Sequence, residues 1–165
     1  MGDGTGVAAG RDAAGVTARA PRGAIAASYR LGTMSRELFW LTLTAIMTGL
    51  MWVPYILDRL MVRGLMGAMD NPSPNAKPHS PWARRQMHAH DNAVENLLIF
   101  AILVLVANAL HISTNVTATA CAVYFWARLA HYIIYTMGVP VLRTLTFVAG
   151  FAAQLVLVLA IFRWV

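Results

Sequence analysis

Arg85, His88, Asn92 and Glu95 recur at offsets 0, 3, 7 and 10, the spacing that places side chains on one narrow face of an α-helix. The stretch that carries them, RQMHAHDNAVENLLIFAILVLVANAL, begins polar and turns apolar without a helix breaker. A polar stripe is therefore expected to run down into a hydrophobic segment, with Asn92 and Glu95 at or below its mouth. Carboxylates at membrane depth are costly and usually functional. A second set, Arg128, His131 and Tyr135, shares a helical face at offsets 0, 3 and 7, and Arg143 with Thr144 follows just past Gly138 and Pro140. The plain structural use of these groups is an ion pair between Glu95 and Arg128 that locks two helices together, because unpaired charges in lipid are expensive. Taken singly, His131 reads as a satisfied core histidine, Tyr135 as an interfacial anchor and Arg143 as a side chain snorkelling to headgroups.

The elements that must position these residues follow from composition. Of 165 residues, 58% are hydrophobic and 12% charged, about half the charge of an ordinary soluble domain. LFWLTLTAIMTGLMWVPYIL, from Leu38 to Leu57, is an uncharged run long enough to span a bilayer. The pattern predicts an all-α, integral membrane four-helix bundle with helices over about 37–60, 82–111, 116–137 and 140–163. Asp58, Arg59 and Arg63 close the first helix. The stretch 61–81, with Pro72, Pro74, Pro78 and Pro81, reads as a loop. Residues 1–33 are rich in Gly, Ala and Arg and cannot bury a core. They read as a disordered basic extension, a targeting peptide or an over-long start with Met34 as initiator, and 34–165 form the membrane domain.

Alternating helices bring the start of the second, the end of the third and the start of the fourth into one leaflet. Every strongly polar residue near membrane depth thus gathers at one end, where chance would scatter them over both. Counted from Met34, that side also holds Arg59, Arg63, Lys77, Arg84, Arg85 and Arg143 against Arg36 and Arg163. The positive-inside rule then places the 61–81 loop in the cytoplasm. Arg11, Arg19, Arg22 and Arg30 would cancel that bias if residues 1–33 persist. The net charge of +6 sits in flanks and loops and belongs to no nucleic-acid motif, so nucleic acid is not an expected partner. No metal site is expected: His88 and His90, two apart, point about 200° from each other on a helix. The lone Cys121 leaves the redox compartment open.

HAHDNAVENLLIFAILVL, then ARLAHYIIYTMGVPVLRTLTF, resembles the MAPEG superfamily, the membrane-associated proteins of eicosanoid and glutathione metabolism. The matching residues are Ala89, His90, Asn92, Glu95 and Asn96, then Arg128, His131, Tyr135, Gly138, Pro140, Leu142 and Arg143. Pro54, Tyr55 and Arg59 resemble the end of the family's first helix, so the likeness covers about Glu37 to Val165. It implies a homotrimer of four-helix protomers, of bacterial type and placed in an inner membrane, with glutathione bound between neighbouring subunits near the cytoplasmic face. Carried over by position, Asn92 and Glu95 would hold the polar ends of glutathione and Arg59 a carboxylate. Arg128, His131 and Tyr135 would belong to the binding set; His88, which stands near a position that holds arginine in the family, would donate hydrogen bonds when protonated, a form its neighbour Asp91 favours. Arg143 would face the sulfur as the catalytic residue, with Thr144 donating a hydrogen bond. A guanidinium beside a thiol favours the reactive thiolate, which would attack a lipophilic electrophile or peroxide arriving from the bilayer.

The chain departs from well-studied glutathione-using members at His88 and Asp91, near positions that hold arginine there. Two classes of function follow. One is a membrane enzyme of glutathione-transferase or peroxidase type. The other is a non-catalytic scaffold or accessory subunit of the same fold, which Asp91 and the structural use of Glu95 and Arg128 would suit.

Overall fold

The computed structural model describes residues 34–165, and the expectations for 1–33 lie outside the described residues. Five helical segments follow one another: α1 (Arg36–Leu50), α2 (Val53–Met69), α3 (Pro81–Ala109), α4 (Asn115–Met137) and α5 (Pro140–Ile161). With α1 and α2 forming one bent span, they make a four-helix bundle. The continuous helix Arg36–Met69, α3 and α5 are each long and apolar enough to cross a membrane. α4 is of similar length but carries the arginine, histidine and tyrosines that the interior uses. Leu98, Ile102, Leu145 and Phe151 point outward, roughly half exposed or more, a surface that suits lipid and not water. The protein is an integral membrane protein.

The helix ends are written in local chemistry. Ser35 caps α1 by accepting a hydrogen bond from the Leu38 amide at 3.2 Å. The bend between α1 and α2 falls at Met51–Trp52. Pro54 supplies no N–H for the Leu50 carbonyl and its ring crowds that carbonyl. The Tyr132 hydroxyl donates to the exposed carbonyl of Met51 at 2.9 Å, so α4 satisfies what the bend leaves open. Thr114 and Thr117 form a reciprocal capping box at the start of α4. Gly138 ends that helix with φ at 79°, a left-handed residue that glycine adopts without penalty. Pro140 then opens α5 at a position whose amide needs no partner.

One expected boundary moves. The first membrane helix was expected to end near residue 60, with a loop from 61; the helix instead continues to Met69. Gly64 interrupts it at φ 69° and ψ 174°. A side chain there would meet open space, so the requirement is conformational, and helix resumes beyond it. The other ends fall within two residues of the sequence expectation.

The buried seam of α3 is Gln86, Ala89, Ala93, Phe100, Val104 and Ala107. Phe100 stacks on Tyr124 of α4 with centroids 3.8 Å apart, and Cys121, Ala153 and Leu157 complete the core. Two buried carboxylates fasten the bundle from opposite ends. Glu37 accepts hydrogen bonds from the hydroxyls of Ser113 and Thr117 in the turn into α4. Asp58 accepts from the Ser80 amide at 3.1 Å and meets His79 Nδ1 at 3.0 Å, which pins the 70–80 loop and serves the start of α3.

Candidate functional site

The C-terminal half of α4, the first turns of α5 and the N-terminal third of α3 meet at one end of the bundle. Arg85 holds them in register: its Nε donates to the Thr136 carbonyl at 2.9 Å, while its side chain packs on Gly138. Between these elements lies a crevice of about 270 Å³ lined by Asn92, His131, Tyr135, Arg143, Thr144 and Phe147. Five of those six were expected from sequence. Phe147, one turn beyond Arg143 on α5, is the sixth.

Arg128 lies beneath the crevice, 2% exposed. Its Nη1 donates to Asn92 Oδ1 at 3.1 Å, and its guanidinium lies over the rings of Phe147 and Tyr124, 5.3 and 5.6 Å from their centroids. Gly150 of α5 leaves room for it, since a β-carbon there would stand 3.6 Å from Arg128 Nε. The remaining Nε and Nη2 donors have no hydrogen-bond partner.

The expected Glu95–Arg128 ion pair is not formed. Glu95 is exposed, and among the described residues the one ion pair is His79–Asp58. The reason is rotational. The seam toward α4 runs through Ala89 and Ala93, and two positions beyond Ala93 is about 200° round the helix. Asn92, off to one side of the seam, reaches Arg128; Glu95 points away.

His131 is buried, with Nδ1 3.0 Å from the carbonyl oxygen of Arg143 and 3.3 Å from Thr146 Oγ1. A carbonyl only accepts, so Nδ1 carries the hydrogen, and in the neutral ring Nε2 presents a lone pair. That atom is buried and has no partner. Thr146, a residue that sequence reasoning passed over, donates to the Arg143 carbonyl at 2.9 Å and so helps fix both the backbone and the ring. Arg143, half-buried, stacks its guanidinium on the Tyr135 ring at 4.5 Å, and Tyr135 meets His131 edge to face. Thr144 Oγ1 donates to the Pro140 carbonyl at 3.1 Å, leaving its lone pairs, not its proton, for a ligand.

Three expected residues stand apart from the crevice within one chain. His88 and Glu95 are exposed on α3. Arg59 on α2 reaches the Asp70 carbonyl at 3.4 Å, and its Nε is buried without a partner. His90 Nδ1 meets the Tyr55 hydroxyl at 3.0 Å, joining α2 to α3.

Residues 38–163 match the model of the MAPEG family. The chain belongs to the MAPEG family. No curated protein matches it. The family match takes in all of the helices described above but Arg36 and Glu37 of α1, so the crevice of this MAPEG protein is built wholly within the matched region. Chemically, the crevice offers one half-buried guanidinium, an imidazole lone pair and an amide in aromatic surroundings, with the buried guanidinium of Arg128 directly behind Asn92 and Phe147. That set suits a small anionic ligand that bears an ionisable nucleophile.

Proposed function

We propose that this protein binds glutathione, or a similar small thiol carrying carboxylates, in the crevice between α3, α4 and α5. It uses the thiolate to attack a lipophilic electrophile or to reduce a peroxide. The observation that carries the reading is Arg128: a guanidinium 2% exposed, without a carboxylate partner among the described residues and with two unused donors. A buried charge left in that condition is expensive, and an anionic ligand would remove the cost. Arg143, held on the Tyr135 ring, is the cation that stabilises the thiolate, and His131, whose Nε2 has no partner, accepts the thiol proton.

The ligand lies between neighbouring subunits of a homotrimer. A crevice of about 270 Å³ is small for a whole tripeptide. His88 and Glu95 project from the chain that owns them, and a neighbour's crevice gives them a use. The basic loop side, with Arg59, Arg63, Lys77, Arg84 and Arg85, faces the cytoplasm, where such thiols are abundant. The chain sits in a bacterial-type inner membrane.

The test is Arg143→Leu in detergent-solubilised protein, assayed with glutathione and a lipophilic aryl halide or hydroperoxide. Turnover should fall by about 100-fold or more, as for loss of a charge-stabilising donor, with assembly unchanged. Asp91, exposed on α3 next to His90, favours the second reading, a non-catalytic scaffold, because its carboxylate would repel an anionic tripeptide. Unchanged residual turnover in Arg143→Leu, or none in the parent protein, would leave the scaffold standing.

A further inference from the structure

In the other half of the bundle a larger groove, of about 590 Å³, opens between the first turns of α4 and the middle turns of α5. Ala120, Ala149, Ala152 and Ala153 line it together with Val116, Thr119, Val123 and Val156. Its length is about two helical turns of each helix, or roughly 12 Å, which approaches the depth of one leaflet of hydrocarbon at about 15 Å. A helix from a second copy would seek a seam through the whole bilayer; this groove stops halfway.

Its outer mouth is polar and cationic. Asn115, the first residue of α4, lines the groove, and its Oδ1 accepts a hydrogen bond from Arg36 Nη2 at 2.9 Å. Arg36 is exposed, and the neighbouring carboxylate of Glu37 is turned inward onto the hydroxyls of Ser113 and Thr117. The guanidinium therefore stands beside the outer end of an apolar groove roughly 12 Å long.

We propose that the groove holds one acyl chain of an anionic phospholipid, whose phosphate is bound by Arg36 and Asn115. The small alanines make room for the chain, and the cation selects the headgroup. This site is separate from the crevice at the other end and does not depend on its chemistry.

The full-length protein, equilibrated with vesicles containing equal parts of phosphatidylglycerol and phosphatidylcholine, then extracted and measured by native mass spectrometry, should retain about one phosphatidylglycerol per chain. Ala152→Leu, which fills the groove from an exposed position, should lose the retained lipid. Arg36→Gln should keep lipid but lose the preference for phosphatidylglycerol. Equal retention of the two lipids by the unaltered protein would overturn the proposal, and that measurement needs no variant. So would undiminished retention in Ala152→Leu, or in Ala149→Val should the leucine variant fold poorly. Efficient cross-linking of Thr119→Cys to a second copy, with no lipid retained, would assign the groove to a protein contact instead.

Discussion

Arg128 and Arg143 sit within one crevice yet are held in different ways. Arg143 is half-buried and can reach water, and its place is set by the Tyr135 ring below it. Arg128 is enclosed by two rings and the Asn92 amide, and nothing in its surroundings neutralises it. A side chain kept for packing would not need that charge. Arg128→Met, which keeps the stem and removes the guanidinium, should therefore leave the unfolding midpoint in detergent unchanged or raised, by about 1 kcal/mol or more of stability. The same variant should lose the upward shift in midpoint that glutathione gives the parent protein. A marked fall in midpoint without ligand would mean that the guanidinium is a structural member, and the case for a ligand carboxylate would fail.

Among the elements, the bent span α1–α2 depends on its neighbour. The Tyr132 hydroxyl closes the carbonyl that the bend exposes. Tyr132→Phe keeps the ring and strands the Met51 carbonyl, so it should destabilise by about 1–3 kcal/mol, read as a lower thermal midpoint. The positions of Arg128, His131 and Tyr135 on one face were legible in the sequence because 3.6-residue periodicity fixes them within a single helix. So was their meeting with Asn92 and Arg143, which follows from antiparallel order. The rotation of α3 was not legible. Whether Asn92 or Glu95 meets α4 depends on Ala89 and Ala93 being the small residues that admit close approach, and alanines are scattered along the helix. Asp58, Arg59 and Arg63 read as the close of the first helix because charges and prolines follow the apolar run; the chain instead passes through Gly64 at positive φ and resumes as helix to Met69. Asp58 read only as a residue closing the first helix and Glu37 was given no role, since the partners that bury Glu37 lie 76 and 80 positions away and are hydroxyls without a spacing signal.

At the scale of the whole molecule, a single chain leaves large apolar side chains on its outer faces and a crevice too small for its proposed ligand. Lipid covers the first deficiency; a neighbouring subunit answers the second. Native mass spectrometry in mild detergent should give three times the 18.0 kDa of one chain, and Glu95→Cys should react with a short bifunctional cross-linker to link subunits. A monomeric mass under conditions that preserve activity would remove the shared-site arrangement. The family match establishes the fold and the membrane setting, and the side chains of the crevice carry the function.

The two carboxylate clamps also decide where the chain tolerates foreign sequence. The turn before α4 donates Ser113 and Thr117 to Glu37, so an epitope spliced between Ile112 and Thr114 would part the acid from its donors. Residues 71–75 are exposed, and both shoulders of their loop are moored, by Asp58 to Ser80 and by Arg63 Nε to the Lys77 carbonyl at 2.7 Å. A fluorophore or affinity handle belongs there, where it would not loosen the bundle.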